Sequence, residues 1–199
     1  MNDLFARLSA AFEASHHIGI EGIRDDSVWA GDNPRDAAVL VPVTDGDAPG
    51  LVLTKRPATM AAHPGQVAFP GGKLEPGESV VEAALREAEE ELTIRPADVR
   101  VVGTATSFVT GTGFRLTPVL AVIPADIAIT PDPREVDGWF APPLDFVLDS
   151  AHQVQKMGQF GSHTLPYTEI TWRQHRIWGI TAGIIANLSR RLPLREILG

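Results

Sequence analysis

Residues 71–92 read GGKLEPGESVVEAALREAEEEL and hold seven of the chain's twenty-five acidic residues. Two glycines, a Pro-Gly turn and a serine lead into a stretch with helical spacing. Ser79 is followed three positions later by Glu82, the spacing of a capping box, so a helix is predicted over 79–92. Advancing 100° per residue from Val81 gathers Val81, Ala84, Leu85, Ala88 and Leu92 into an apolar stripe. Glu87, Glu90 and Glu91 then fall at roughly 240°, 180° and 280°, off the stripe and beside one another. Like charges one turn apart repel by roughly a few tenths of a kcal/mol. A solvated acidic face would tolerate that. The other reading is an oxygen-rich site for Mg²⁺ or Mn²⁺, where a hard cation turns repulsion into coordination. Arg86, with Glu78 as its local partner just ahead of the helix, could neutralise an inward acid. The glycine turn brings backbone carbonyls, that of Gly71 among them, close to the helix.

Outward from this unit, short β-type runs alternate with a few helices. AAVLVPV (37–43) and LVLTKR (51–56) flank the acidic turn TDGDAPG and read as a hairpin or meander edge. QVAF is a short strand stopped by Pro70 and two glycines. DVRVVGTATSF and RLTPVLAVIPA are β-type runs on either side of the glycine loop VTGTG (109–113). EVDGWFAPPLDFVLD combines a strand, a Pro-Pro turn and a short helix, and HTLPYTEITWRQHRIWG contains a strand or hairpin. Residues 3–14 and 179–192 carry helical apolar patterns. The expected class is α/β (α+β), with residues 1–34 forming an N-terminal helix and connecting segment packed on a domain over 35–199. Trp139 and Phe140 read as core and Trp178 as helix packing. Arg173, Arg176, Arg190 and Arg191 read as solvated surface.

The 199 residues carry a formal charge of −8 and no cysteine. Disulfides, thiolate nucleophiles and cysteine-based zinc sites are thereby removed. Duplex nucleic acid is disfavoured as a partner, since phosphate neutralisation needs a concentrated basic patch. No run of eighteen apolar residues exists, so no membrane span is expected. The early acids argue against a signal peptide, and the expectation is a cytoplasmic protein. An acidic protein can still handle a polyphosphate when metal ions stand between the two sets of charge. A homodimer through the terminal apolar faces is an alternative to burying them in the core.

The glutamate segment also resembles the Nudix box. Gly72 is followed after five residues by Glu78, and after seven more by Arg86-Glu87-Ala88-Glu89-Glu90-Glu91. Thr93 departs from the pattern, standing where the box usually has glycine. The resemblance implies a Nudix fold, a mixed central β-sheet between helices with the box as loop–helix–loop. It implies metal ligation by Glu87, Glu90 and Glu91, with Glu78 and Arg86 holding loop and helix in register. It also implies attack of water at phosphorus. Which glutamate takes the proton stays open, and a base from another loop is an alternative.

LTKRPATMAAHPGQVAFPGG (53–72) resembles the motif of coenzyme A pyrophosphatases within that superfamily. Leu53, Thr54, Arg56, His63, Gly65, Gln66, Ala68, Phe69, Pro70, Gly71 and Gly72 fit; Pro57 and Ala61 depart, the latter replacing an arginine. The resemblance implies cleavage of coenzyme A or acyl-CoA to 3′,5′-ADP and (acyl-)4′-phosphopantetheine. Lys55, Arg56, His63 and Gln66 are candidate substrate contacts, as are Gly111 and Gly113 of the glycine loop. The alternatives are a Nudix pyrophosphatase for ADP-ribose, a dinucleotide or a nucleoside triphosphate, and a non-catalytic ligand-binding Nudix domain.

Overall fold

The computed structural model describes residues 3–15, 17–20, 23, 33–59, 64–160 and 162–198. His63 and Ala61, named above, lie outside these residues, as does most of the link between the first helix and the first strand.

The central sheet is built on two long apolar strands, β1 (Arg35–Thr44) and β7 (Phe114–Ile123). They run parallel from the pair Arg35–Phe114 to the pair Thr44–Ile123. β4 (Gly71–Lys73) joins β1 antiparallel, and β5 (Arg100–Thr104) and β6 (Phe108–Val109) join β7 antiparallel, which makes the sheet mixed. Side chains alternate across it. Leu40, Val119, Ala121 and Ile123 face a core shared with helix α2 (Val80–Leu92), through Ala83, Ala84, Ala88 and Leu92. Val41, Val43, Leu120 and Val122 face the opposite core. That second core takes Leu4, Leu8 and Phe12 of α1 (Leu4–Ala14), Leu144, Val147 and Leu148 of α3 (Leu144–Leu148), and Ile184, Ile185 and Leu188 of α4 (Ile180–Arg191). Ile197 of α5 (Leu194–Leu198) closes it. The result is a sheet between helices, and the N-terminal helix is built into the same core as the rest.

Two smaller sheets flank this sandwich. β2 (Leu53–Lys55) lies between β3 (Val67–Ala68) and β8 (Gly138–Phe140). β10 (His163–Trp172) lies between β9 (Val154–Phe160) and β11 (His175–Trp178). The hairpin expected from 37–43 and 51–56 therefore does not form as a ladder. β1 and β2 enter different sheets and touch through the bridge Val43–Leu51, because Gly50 and Leu51 turn toward Pro142 and Pro143. β9 is a strand that VQKMGQF did not announce.

Arg191 corrects a second expectation. It is 3% exposed and donates to Asn187 Oδ1 at 3.0 Å and to the Gly19 carbonyl at 2.9 Å. Its charge ties the C-terminal helix to the segment after α1 instead of meeting water.

Candidate active site

The helix that carries the acids is fixed at both ends. Ser79 Oγ accepts from the Glu82 N–H at 3.2 Å, and Glu82 Oε2 accepts from the Ser79 N–H at 2.8 Å, a reciprocal cap. At the other end Thr93 takes the left-handed conformation, φ 59° and ψ 27°, that glycine adopts without steric cost. Its hydroxyl donates to the Thr130 carbonyl at 2.9 Å, a bond glycine could not make. The cap geometry thus survives the departure from the box pattern.

Arg86 is the hub of the unit. Its Nε and Nη2 donate to the two oxygens of Glu78 at 2.9 and 3.1 Å, and Nη2 also reaches the Lys73 carbonyl at 3.0 Å. Glu78 in turn accepts from the Glu75 N–H at 2.8 Å. The Arg86 bond, followed by the Glu75 backbone bond, lowers the pKa of Glu78. This fork ties the loop to the helix. Arg86 Nη1 meets Glu87 Oε1 at 3.0 Å and Glu90 Oε2 at 3.1 Å.

Glu91 corrects the helical-wheel reading, which put it off the buried stripe. It is 4% exposed, while Val81 and Leu85 are only half-buried. The inward face is centred on Ala84, Ala88 and Glu91, because small alanines let the helix approach the sheet closely. The glycines permit the same approach from the other side. A Cβ on Gly72 would stand 2.2 Å from Glu87 Oε1, and one on Gly71 would stand 2.3 Å from the Ala38 carbonyl. The Gly71 N–H acts on the Glu91 carboxylate, whose Oε2 is buried without a hydrogen-bond partner. Burial, then the charges of Glu87 and Glu135, push its pKa up to about 8, with Arg56 pulling the other way. Burial likewise raises the pKa of Glu87, against the pull of Arg86.

Glu135 is an acid beside this cluster that the sequence reading did not assign. The loop after β7 folds over the end of α2, where Thr130 N–H donates to the Leu92 carbonyl at 3.0 Å and Asp132 N–H to the Glu91 carbonyl at 2.9 Å. Val136, 2% exposed, anchors the loop in the core. Glu135 is thereby held within electrostatic range of Glu87 and Glu91. The available signal was its place beside an apolar anchor in EVDGWF, which marks a fixed acid on a loop.

Among the described residues, no three carboxylate or histidine side chains stand close enough together, as oriented, to hold a metal ion. Arg86 engages Glu87 and Glu90 instead. The donor chemistry nevertheless fits a hard divalent cation: hard carboxylate oxygens, one of them buried and unpartnered, on an acid whose pKa burial and then neighbouring acids raise.

Around this cluster, the Arg56 N–H donates to the Gln66 carbonyl at 3.0 Å, and the Arg56 Nε is buried without a hydrogen-bond partner. Lys55 pairs with Asp137 at 3.0 Å. Lys55 and Gln66 line a cavity of about 550 Å³. Gly113 N–H donates to the Thr110 carbonyl at 2.9 Å within the β6–β7 turn, so an ordinary hairpin accounts for Gly111 and Gly113. Phe140 is core at 8% exposure, whereas Trp139 is 41% exposed and is not. Trp178 ends β11 and lines the cavity, with its ring edge-on to Tyr167.

The NUDIX domain family matches residues 34–160. An uncharacterised Nudix hydrolase, NudL, of Enterobacter sp. is 40% identical over 169 residues, covering 82% of this chain and 85% of that protein. The NudL of Cronobacter sakazakii is 42% identical over 163 residues, covering 80% and 84%. Among solved structures, the Nudix hydrolase RenU of M. smegmatis superposes with a TM-score of 0.51 at 22% identity, over 64% of this chain and 81% of that one. A MutT/nudix family protein of Enterococcus faecalis gives 0.51 at 13% identity, over 85% and 69%. These structural likenesses concern the fold.

Proposed function

This chain belongs to the NUDIX domain family and is a Nudix-type pyrophosphohydrolase of a nucleotide-derived substrate, and from that premise we propose that its substrate is coenzyme A or an acyl-CoA. The products would be 3′,5′-ADP and 4′-phosphopantetheine or its acylated form. The observation that carries the hydrolase chemistry is the Glu78–Arg86 fork holding a helix whose Glu91 keeps a buried oxygen without a partner. The finer substrate reading is supported by the Leu53–Gly72 motif.

Glu87, Glu90, Glu91 and the Gly71 carbonyl would hold Mg²⁺ or Mn²⁺. Such an ion, when bound, neutralises diphosphate charge and acidifies water. The chain's own groups do the rest. Arg86 keeps the loop and helix in register. Arg56 places a cation beside the acids where the diphosphate would lie. Glu135, exposed on its loop, accepts the proton of the attacking water. A new O–P bond forms, the bridging P–O bond breaks, and the leaving phosphate keeps the electron pair.

The test is a panel of coenzyme A, dephospho-coenzyme A, ADP-ribose, a dinucleotide and a nucleoside triphosphate, each with Mg²⁺ or Mn²⁺ and with product masses. Coenzyme A should have the highest kcat/KM and yield 3′,5′-ADP. Preference for ADP-ribose or a dinucleotide would overturn the finer reading and leave the chemistry. Cleavage of none would overturn both.

A further inference from the structure

Beside the carboxylates lies the cavity of about 550 Å³, which none of the box glutamates lines. One wall is Lys55 and the segment Gly65–Gln66–Val67; the other is Gln174, His175, Arg176 and Trp178 from the β10–β11 hairpin. Its volume suits a small molecule or part of one. Its position is set by two adjacencies. Lys55 directly precedes Arg56, whose charge acts on Glu91, and neighbouring Cα atoms are about 3.8 Å apart. Asp137, the partner of Lys55, lies two residues beyond Glu135. The cavity wall and the carboxylate site therefore draw on the same two chain segments.

Its charge runs against that of the chain. Glu169, 6% exposed, is bracketed by Lys156 and by Arg176, whose Nε lies 2.6 Å away, so two cations answer one carboxylate. Arg173 stands over the Trp172 ring at 4.5 Å, a contact that cancels no charge. Lys55 is balanced by Asp137, half-exposed and screened. His175 stacks on Phe140 with centroids 3.7 Å apart, and Gln174 Nε2 lies 3.1 Å from its Nε2. Burial, then Lys55 and Arg173, lower the pKa of His175, the direction expected in a cation-rich wall. Trp178 adds a planar apolar surface beneath Arg176, at 4.8 Å.

We propose that this cavity binds a phosphate monoester on the nucleoside end of the diphosphate substrate, with Lys55, Arg176 and the Gln174 amide as donors. The proposal rests on the diphosphate reading above, and it assigns the β10–β11 hairpin the selection between substrates that share the scissile bond.

Calorimetric titration of the whole chain with 3′,5′-ADP and with 5′-AMP reads the cavity without turnover. In the wild type, 3′,5′-ADP should bind at least tenfold more tightly than 5′-AMP. Lys55→Gln and the hairpin-turn variant Gln174→Ala should each reduce that ratio, Lys55→Gln by about tenfold, the loss of one charge-assisted contact. Inorganic phosphate alone should bind far more weakly than 3′,5′-ADP. Equal binding of the two nucleotides, a ratio unchanged in both variants, or inorganic phosphate binding as tightly as 3′,5′-ADP would each overturn the proposal. Hydrolysis is scored separately. A wild type that shows the binding preference but cleaves no diphosphate refutes the enzyme reading and leaves the cavity assignment standing.

Discussion

Glu91 and Glu169 are glutamates buried to nearly the same depth, 4% and 6% exposed, and the protein treats them in opposite ways. Glu169 on β10 is held by Lys156 and Arg176, and the Lys156 bond leads in lowering its pKa. Glu91 on α2 has a backbone N–H on one side, two acids nearby and a bare oxygen, and its pKa rises to about 8. Burial alone therefore does not set these two carboxylates apart; the presence or absence of a directly paired cation does. Glu169 is tied into the scaffold by its ion pairs, and Glu91 is the acid we propose meets a divalent cation.

The largest effect should come from emptying that arrangement. Glu91→Gln should cut steady-state turnover about a thousandfold or more, and chelation of divalent ions should abolish it. Circular dichroism should show the fold intact. Retained turnover in the folded variant would dissolve the contrast with Glu169. Glu135→Gln, one loop away, should lower kcat by about a hundredfold with a smaller change in KM, as expected for loss of a proton acceptor. A KM effect alone would demote Glu135 to a binding role.

Stability against pH sharpens the same contrast, because the two acids act on opposite limbs. Glu91, with its folded pKa above the ordinary 4.5, stays protonated in the fold while the unfolded chain ionises. Metal-free protein should thus lose stability as pH rises from about 4.5 to about 8, and Glu91→Gln should flatten that limb. Glu169, with its pKa lowered, contributes stability above the ordinary value that is lost as pH falls through its folded pKa. Glu169→Gln should flatten the acid limb and cost about 1–3 kcal/mol at neutral pH, since both its cations are half-exposed. Thermal melts across pH would read both variants. The smallest effect is expected at the helix end. Thr93→Ala keeps the left-handed backbone but removes the bond to Thr130, and should cost about 1 kcal/mol by denaturant titration.

The parts of this protein that were legible in sequence are those set by local spacing. Ser79 and Glu82 announce the helix, and Glu78 and Arg86 meet across one loop as their separation suggests. The inward turn of Glu91 was hidden because the wheel was weighted by Val81 and Leu85, whereas the close approach depends on alanines and on Gly72 in another element. Glu135 was hidden because the contact that places it, Asp132 to the Glu91 carbonyl, joins segments far apart in the chain. Arg191 looked like surface because nothing local reports that carbonyls near Gly19 are waiting for it. β9 was missed because VQKMGQF lacks the two-residue alternation of a half-buried strand. Its burial pattern confirms an element that is mostly exposed.

The parallel pairing of β1 with β7 has a consequence for how the protein is made. Residue 35 finds its partner only at residue 114, so the central sheet cannot close on the ribosome until about eighty further residues have emerged. The acids of α2 are translated before that, and Glu135 after it. The glutamate-rich helix is thus made before the strand that completes the sheet behind it, and its like charges disfavour association of chains at that stage.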